Sequence, residues 1–334
     1  MQENINRQVV LLKRPEGYPN EDDFGLLESS VPEIADGEVL IRTLWLSIDP
    51  YMRGRISNLV SPHPIGTVMP GGTVGIVTSS KSNNVLVGSI VESPAGWQDY
   101  SVSNARSVRV VERDDVPVST ALGVLGMPGL TAYHGLFEIG RPKAGDTLVV
   151  SAAAGAVGAV VGQLGKISGC RVIGIAGTEA KVSYVLDELG FDAGINYRTQ
   201  SVEDELKSLC PQGVDIYFDN VGGTITDAVL DQIADRARII ICGQISQYNL
   251  EQRELGPRNL WQLLRHQAKI EGFTVGRYAN RSEVARGKLN GLVKNGLLKY
   301  KEDIVEGLEN APKAFIGMMH GSNFGKLLVK VSDQ

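Results

Sequence analysis

No apolar run in the 334-residue chain reaches the roughly 18 residues that a membrane-spanning helix needs, so the sequence predicts no transmembrane segment. The first thirty residues are polar and acidic and lack the charged-then-apolar order of a signal peptide. Cysteine is scarce as well. Cys170, Cys210 and Cys242 lie tens of residues apart, which fits neither a disulfide framework nor a short-spaced metal site, and predicts a reducing, cytosolic setting. The formal charge of -5 is spread along the chain with no Lys/Arg cluster, which argues against a nucleic-acid partner. The four histidines, His63, His134, His266 and His320, show no ligand spacing and read as surface or packing residues.

The chain has apolar residues enough for two cores. Its length suggests about two domains of roughly 150 residues each, and 43% of its residues are hydrophobic. Up to about residue 120, short apolar runs (8–13, 38–46, 75–78, 88–92, 107–111) alternate with Pro, Gly, Asn and Asp, the rhythm of an all-β barrel or sandwich. After residue 146 strands and helices alternate, which predicts a parallel sheet covered by helices. Six strands are expected, at 147–152, 171–176, 193–196, 214–219, 237–242 and 269–273, each nearly all apolar, as in a sheet buried on both faces. A helix over 179–189 ends at Gly190, and the chain closes with a helix and a strand over 325–331.

The stretch Ala153-Ala154-Gly155-Ala156-Val157-Gly158 fits the G-x-G-x-x-G frame with alanine at the first glycine. The second glycine lets the backbone approach a pyrophosphate, and the third lets helix and strand pack closely. The phosphates would lie over the first amides of a helix from Ala156 to about Ser168. Small residues packing a helix on a sheet would explain the same letters. The strand before, the Gly169 helix end and the second strand behind favour a dinucleotide.

An NAD site wants a carboxylate at the end of the second strand. Here stand Ala176, Gly177 and Thr178, with Lys181 one turn on. NADP(H) is therefore preferred. Glu179 is the competing acid; after a Thr178 cap it can point to solvent and suit the helix dipole. The alternative for Lys181 is a solvated surface lysine.

The motifs "SIDPYMRGR" (47–55), "GWQDY" (96–100), "GMPGLTAY" (126–133), "SAAAGAVG" (151–158), "GFDAGINY" (190–197), "FDNVGG" (218–223), "CGQISQYN" (242–249) and "GSNFGKLLVKV" (321–331) together resemble the zinc-independent medium-chain dehydrogenase/reductase superfamily. Within it they are similar to the leukotriene B4 12-hydroxydehydrogenase/prostaglandin reductase, 2-alkenal (double-bond) reductase and curcumin reductase group, over essentially the whole chain. The resemblance implies an α/β protein. A GroES-like β-barrel domain over 1–123, completed by 305–334, would accompany a Rossmann domain over 124–304 with a doubly wound parallel six-stranded sheet, and the active site would lie in the cleft between them.

It also implies NADP(H) contacts at Met127, Gly155, Ala156, Val157, Gly158, Gly177, Lys181, Tyr197, Asn220, Cys242, Gly243, Ser246, Tyr248, Phe273, Val275 and Asn323, with Lys181 and Tyr197 on the 2′-phosphate. Zinc relatives place catalytic Cys, His and Cys ligands near positions that are Leu46, Gly71 and Met127 here. None of the three can replace such a ligand, so no metal is expected.

Without that ligand set, reduction of an activated C=C bond is a better expectation than alcohol oxidation. Hydride would reach the β-carbon of an enone or enal, and the enolate oxygen would need a hydrogen-bond donor. Tyr248 is the candidate donor, beside the cofactor's ribose hydroxyl; a tyrosine that only packs the ring or holds the ribose is its alternative. Tyr51 is the second catalytic candidate, as a wall of the pocket. Segments 51–70 and 250–265 are expected to line that pocket. A quinone reductase and a non-catalytic NADPH-binding protein stay open as functions. The resemblance also implies a homodimer paired along the edge strand 269–275, and the chain is expected in the cytoplasm.

Overall fold

The computed structural model describes residues 5–57, 62–112, 115–252 and 254–333. Of the two segments expected to line a pocket, Asn58 to Ser61 and Arg253 lie outside the described residues. The chain divides into two compact units, residues 1–123 with 302–334, and residues 124–301.

The first unit opens with β1 (Ile5–Leu11) and β2 (Phe24–Ser30), an antiparallel pair. There follow β3 (Glu38–Ser47), β4 (Thr73–Ser80), β5 (Ile90–Ser93), β6 (Tyr100–Asn104) and β7 (Arg109–Val110). Val39, Ile41, Leu44 and Leu46 of β3 are fully buried. The alternation breaks where the β3–β4 register shifts between Thr43 and Trp45, so that Thr43 and Leu44 are buried in succession, as a bulge requires. Trp97, Phe24 and Phe315 pack ring against ring, with centroids 6.0 to 6.2 Å apart.

The second unit is a six-stranded parallel sheet of β8 (Thr147–Ser151), β9 (Arg171–Ala176), β10 (Ala193–Asn196), β11 (Val214–Asp219), β12 (Ile233–Ile241) and β13 (Lys269–Gly272), ordered β10-β9-β8-β11-β12-β13. That is the doubly wound Rossmann order. It reverses between β8 and β11, and a crevice at the carboxyl ends of strands flanking such a point is where these sheets take ligands. Val149, Ile173, Ile175, Ile195, Tyr217 and Ile239 form the core beneath.

The chain returns to the first unit at Glu302, three residues before the expected 305. β14 (Glu302–Glu306) pairs with β15 (Lys326–Lys330), which pairs in turn with β3.

Three details differ from the sequence reading. The helix after β8 spans Gly158–Ile167, so Ala156 and Val157 belong to the turn before it. The helix over 179–189 is α-helical over Glu179–Ser183 and widens to a π-helix over Tyr184–Glu188, before Gly190 at φ +73°. β13 is an exposed edge rather than a strand buried on both faces. Ile270 alternates there with Lys269 and Glu271, which pair at 3.0 Å, and Arg277 holds Glu271 at 2.8 Å. No helix among the described residues is long and apolar enough to cross a membrane.

Candidate functional site

The turn after β8 replaces the missing first glycine by two adjustments. Ala152 takes the left-handed conformation, φ +49°, that a glycine would supply without strain. Ala153 keeps its amide in the sheet, donating to Ile175 O at 3.0 Å, and is fully buried. Its methyl fits because β9 carries Gly174 opposite, where an added Cβ would come within 2.9 Å of Ala153 Cβ.

The two retained glycines differ in their demands. A Cβ at Gly158 would lie 2.4 Å from Ala152 O, so only glycine closes this turn. A Cβ at Gly155 would meet only Ala152 O, at 3.2 Å, and its outer side is open to an approaching group. The helix Gly158–Ile167 has no side-chain cap, which leaves its first amides to hold an anion. An open backbone cradle at an uncapped helix start fits a dinucleotide's pyrophosphate.

Asn220 ties this loop to β11. Its amide donates to Ser151 Oγ at 2.9 Å and its Nδ2 to Ser151 O at 2.8 Å. Beneath it Asp219, fully buried, accepts from Tyr217 Oη, Thr226 Oγ1 and the amides of Val221 and Gly222. Sequence reading quoted "FDNVGG" without giving this aspartate a part. Its donors fix the turn that presents Asn220, and the motif itself was the available signal.

The loop after β12 folds back on the same strand ends. Cys242 and Gly243 both donate their amides to Asp219 O, and Ser246 Oγ donates to Val221 O at 2.7 Å. Burial, then Asp219, push the Cys242 thiol up to about 12, so it stays protonated and is no nucleophile. Tyr248 Oη accepts from Gln244 N at 3.2 Å and lies 3.3 Å from where a Cβ on Gly243 would stand. Burial raises its pKa, outweighing the bond from Gln244. The phenol therefore keeps its proton.

Gly177 and Tyr197 meet at the ends of β9 and β10, and Lys181 stands in the short helix that follows β9. The Tyr197 ring lies on Gly177, where a Cβ would come within 2.9 Å of it, and its amide donates to Ala176 O. Thr178 caps the next helix by accepting from Lys181 N at 3.3 Å. Glu179 stays exposed while its Oε1 accepts from Asn196 Nδ2 and Thr199 Oγ1. Arg198, a cation that sequence reading passed over, lies 5.9 Å from the Tyr197 ring; its place next to Tyr197 was the signal.

Met127 starts the helix Met127–His134, its carbonyl accepting from Thr131 Oγ1 at 2.7 Å. Phe273 follows β13 and packs against Gly135, and Val275 begins the turn beyond. Tyr51 and Asn323 belong to the first unit. Tyr51, 46% exposed, starts a short helix, and Asn323 Nδ2 donates to Gly325 O at 3.1 Å. Leu46 is fully buried, and a Cβ on Gly71 would stand 3.0 Å from Leu46 Cδ1, so these two positions pack carbon on carbon.

The sequence matches a family model described as the N-terminal domain of oxidoreductase over residues 7–111, and one described as zinc-binding dehydrogenase over residues 156–288. It is 44% identical over 340 residues to the NADPH-dependent curcumin reductase of Escherichia coli (strain K12), covering 99% of this chain and 98% of that one. The chain belongs to the zinc-independent medium-chain dehydrogenase/reductase group. It is also 40% identical over 341 residues to a 2-alkenal reductase (NADP(+)-dependent) of Nicotiana tabacum, covering 99% of each. Among solved structures, CurA in complex with NADPH from Vibrio vulnificus is similar at a TM-score of 0.94 and 46% identity, over 98% of this chain and 100% of that one. Although one matched model is described by zinc, Leu46, Gly71 and Met127 give this member of the medium-chain group no metal donor set at those positions.

Proposed function

We propose that this chain reduces the C=C bond of α,β-unsaturated ketones and aldehydes with NADPH. The observation that carries the reading is its full-length identity to reductases named for curcumin and for 2-alkenals, the latter being aldehydes with a conjugated double bond. The cradle at Gly155, the uncapped helix start and the Lys181–Tyr197 corner are the features that would hold the cofactor. Bound there, NADPH supplies hydride to the β-carbon.

The chain's own part is to bind, orient and neutralise charge. Gly155 to Gly158 would take the pyrophosphate on backbone amides, and Lys181, Tyr197 and Arg198 would surround the 2′-phosphate. Asn220, clamped to Ser151, holds the loop carrying Tyr248 at a fixed height above the strand ends. Tyr248 donates a hydrogen bond to the carbonyl oxygen as negative charge builds there, which lowers the barrier most where the charge is greatest, and the α-carbon of the resulting enolate takes its proton from a side chain or water. Tyr51 forms a wall of the substrate pocket. Met127, Phe273 and Val275 would add cofactor contacts from the second unit, and Asn323 is the candidate that the first unit carries.

The test is NADPH oxidation at 340 nm with a 2-alkenal, an aryl enone, a benzoquinone and a saturated aldehyde, each repeated with NADH. Turnover of the enal or enone to a saturated carbonyl is expected. Turnover of the quinone alone would assign the chain to quinone reduction, and silence across the panel with tight NADPH binding would make it a binding protein.

We also propose a cytoplasmic homodimer paired through β13. Supporting it are the open sheet edge and the exposed Leu260, Trp261 and Leu264 on the preceding helix, 65 to 69% accessible. The edge itself is ionic, so apolar burial would come from that helix. Light scattering after size exclusion should give twice the chain mass at micromolar protein; a monomer would end the proposal.

A further inference from the structure

The first unit contains a buried ion pair that the proposed chemistry does not use. β15 and β3 run antiparallel with Leu328 opposite Ser47. Carrying that register two residues past the last pair sets Lys326 opposite Asp49. Lys326 is 3% and Asp49 5% exposed. Lys326 Nζ donates to Asp49 Oδ1 at 2.9 Å and to Ile48 O at 2.8 Å, and Ser47 Oγ donates to Asp49 Oδ2. Ile48 N donates to Leu327 O at 3.2 Å, so backbone and side chains join the same two segments.

Such a pair is a poor source of stability. Removing both charges from water costs about what their attraction returns, and apolar replacements of similar volume are often neutral or better. The pair's location gives it another use. Asp49 precedes Pro50 and Tyr51, and its carbonyl accepts from Met52 N at 3.2 Å, so its position fixes the start of the helix that presents Tyr51. Lys326 follows the turn that carries Asn323, whose Nδ2 is held by Gly325 O.

We infer that Lys326 and Asp49 are positioning residues for the reaction: their ion pair locks the Tyr51 and Asn323 segments into one register. The inference rests on the reading of Tyr51 as a substrate-facing residue. A full-length two-residue lock of this kind sets the angle at which the tyrosine meets its substrate, and a displacement of about 1 Å at such a residue is enough to lower turnover by about 100-fold.

The experiment compares Asp49→Asn, Lys326→Met, the double variant and Lys326→Arg with the wild type, reading melting temperature, NADPH affinity, kcat and KM on an enone. Tyr51→Phe is made in the wild-type and double-variant backgrounds. The double variant should keep a melting temperature within a few degrees of wild type while kcat/KM falls roughly 10- to 100-fold. Tyr51→Phe should cost less in the double variant than in the wild type, because residues acting through one another are not additive. Wild-type kcat/KM in the double variant, full additivity with Tyr51→Phe, or failure of all four variants to fold would each overturn the inference. An inert Tyr51→Phe in the wild type would instead overturn the assignment of Tyr51, and an inactive wild type the proposed function, so the three failures are distinct.

Discussion

Tyr248→Phe is expected to lower kcat and kcat/KM on an enone together, by roughly 100- to 1000-fold, as removal of one oxyanion donor does. NADPH affinity should change little, because the ring that packs beside Gly243 remains. Among the described residues the hydroxyl makes one hydrogen bond, accepted from Gln244 N. One lone pair is thereby used and the O–H stays available to a substrate oxygen. Burial keeps it a phenol at neutral pH, so it can donate. A donor of this kind acts on the transition state far more than on bound substrate, which is why kcat carries the loss. Steady-state kinetics with a parallel NADPH titration reads both quantities. Unchanged turnover would leave the cofactor's ribose hydroxyl and water as the donors and reduce Tyr248 to packing.

Lys181→Ala should weaken NADPH by about 1 to 3 kcal/mol, roughly 5- to 150-fold, and leave NADH nearly untouched. The corner formed by Gly177, Thr178 and Tyr197 carries no carboxylate of its own, and the neighbouring Glu179 is engaged through Oε1 by Asn196 and Thr199. What it offers is cationic, and Arg198 beside the Tyr197 ring adds a second charge. Calorimetric titration of both cofactors decides the matter, and equal losses would place Lys181 outside the 2′-phosphate site. Adding Arg198→Ala should weaken NADPH further and narrow its preference over NADH if the two cations share the phosphate.

Much of the second unit was legible because its strands announce themselves by composition. Apolar runs such as "TLVVS" and "RVIGIA" are bounded by glycine and capping residues, and each became a strand close to its expected limits. β2, β6 and β14 were not foreseen: "FGLLESS", "YSVSN" and "EDIVE" mix polar and apolar residues and become strands through their neighbours rather than by their own pattern. The polar clamps were harder still. Ser151 with Asn220, and Lys326 with Asp49, join residues 69 and 277 positions apart, and nothing local in the chain marks them as partners. Glu179 is exposed in the first turn after the Thr178 cap, as its sequence position suggests, but its bonds to Asn196 and Thr199 come from a different strand end and have no local mark.

The reciprocal fit of Ala153 and Gly174 makes the two positions one packing unit. A glycine at 153 would restore the familiar loop spelling yet leave an unfilled space the size of a methyl group in the sheet. A larger residue at 174 would meet both the Ala153 methyl and the Phe191 ring, each 2.9 Å from an added Cβ. The alanine is thus matched to its neighbour across the sheet: shortening it leaves a hole, and enlarging residue 174 makes a clash.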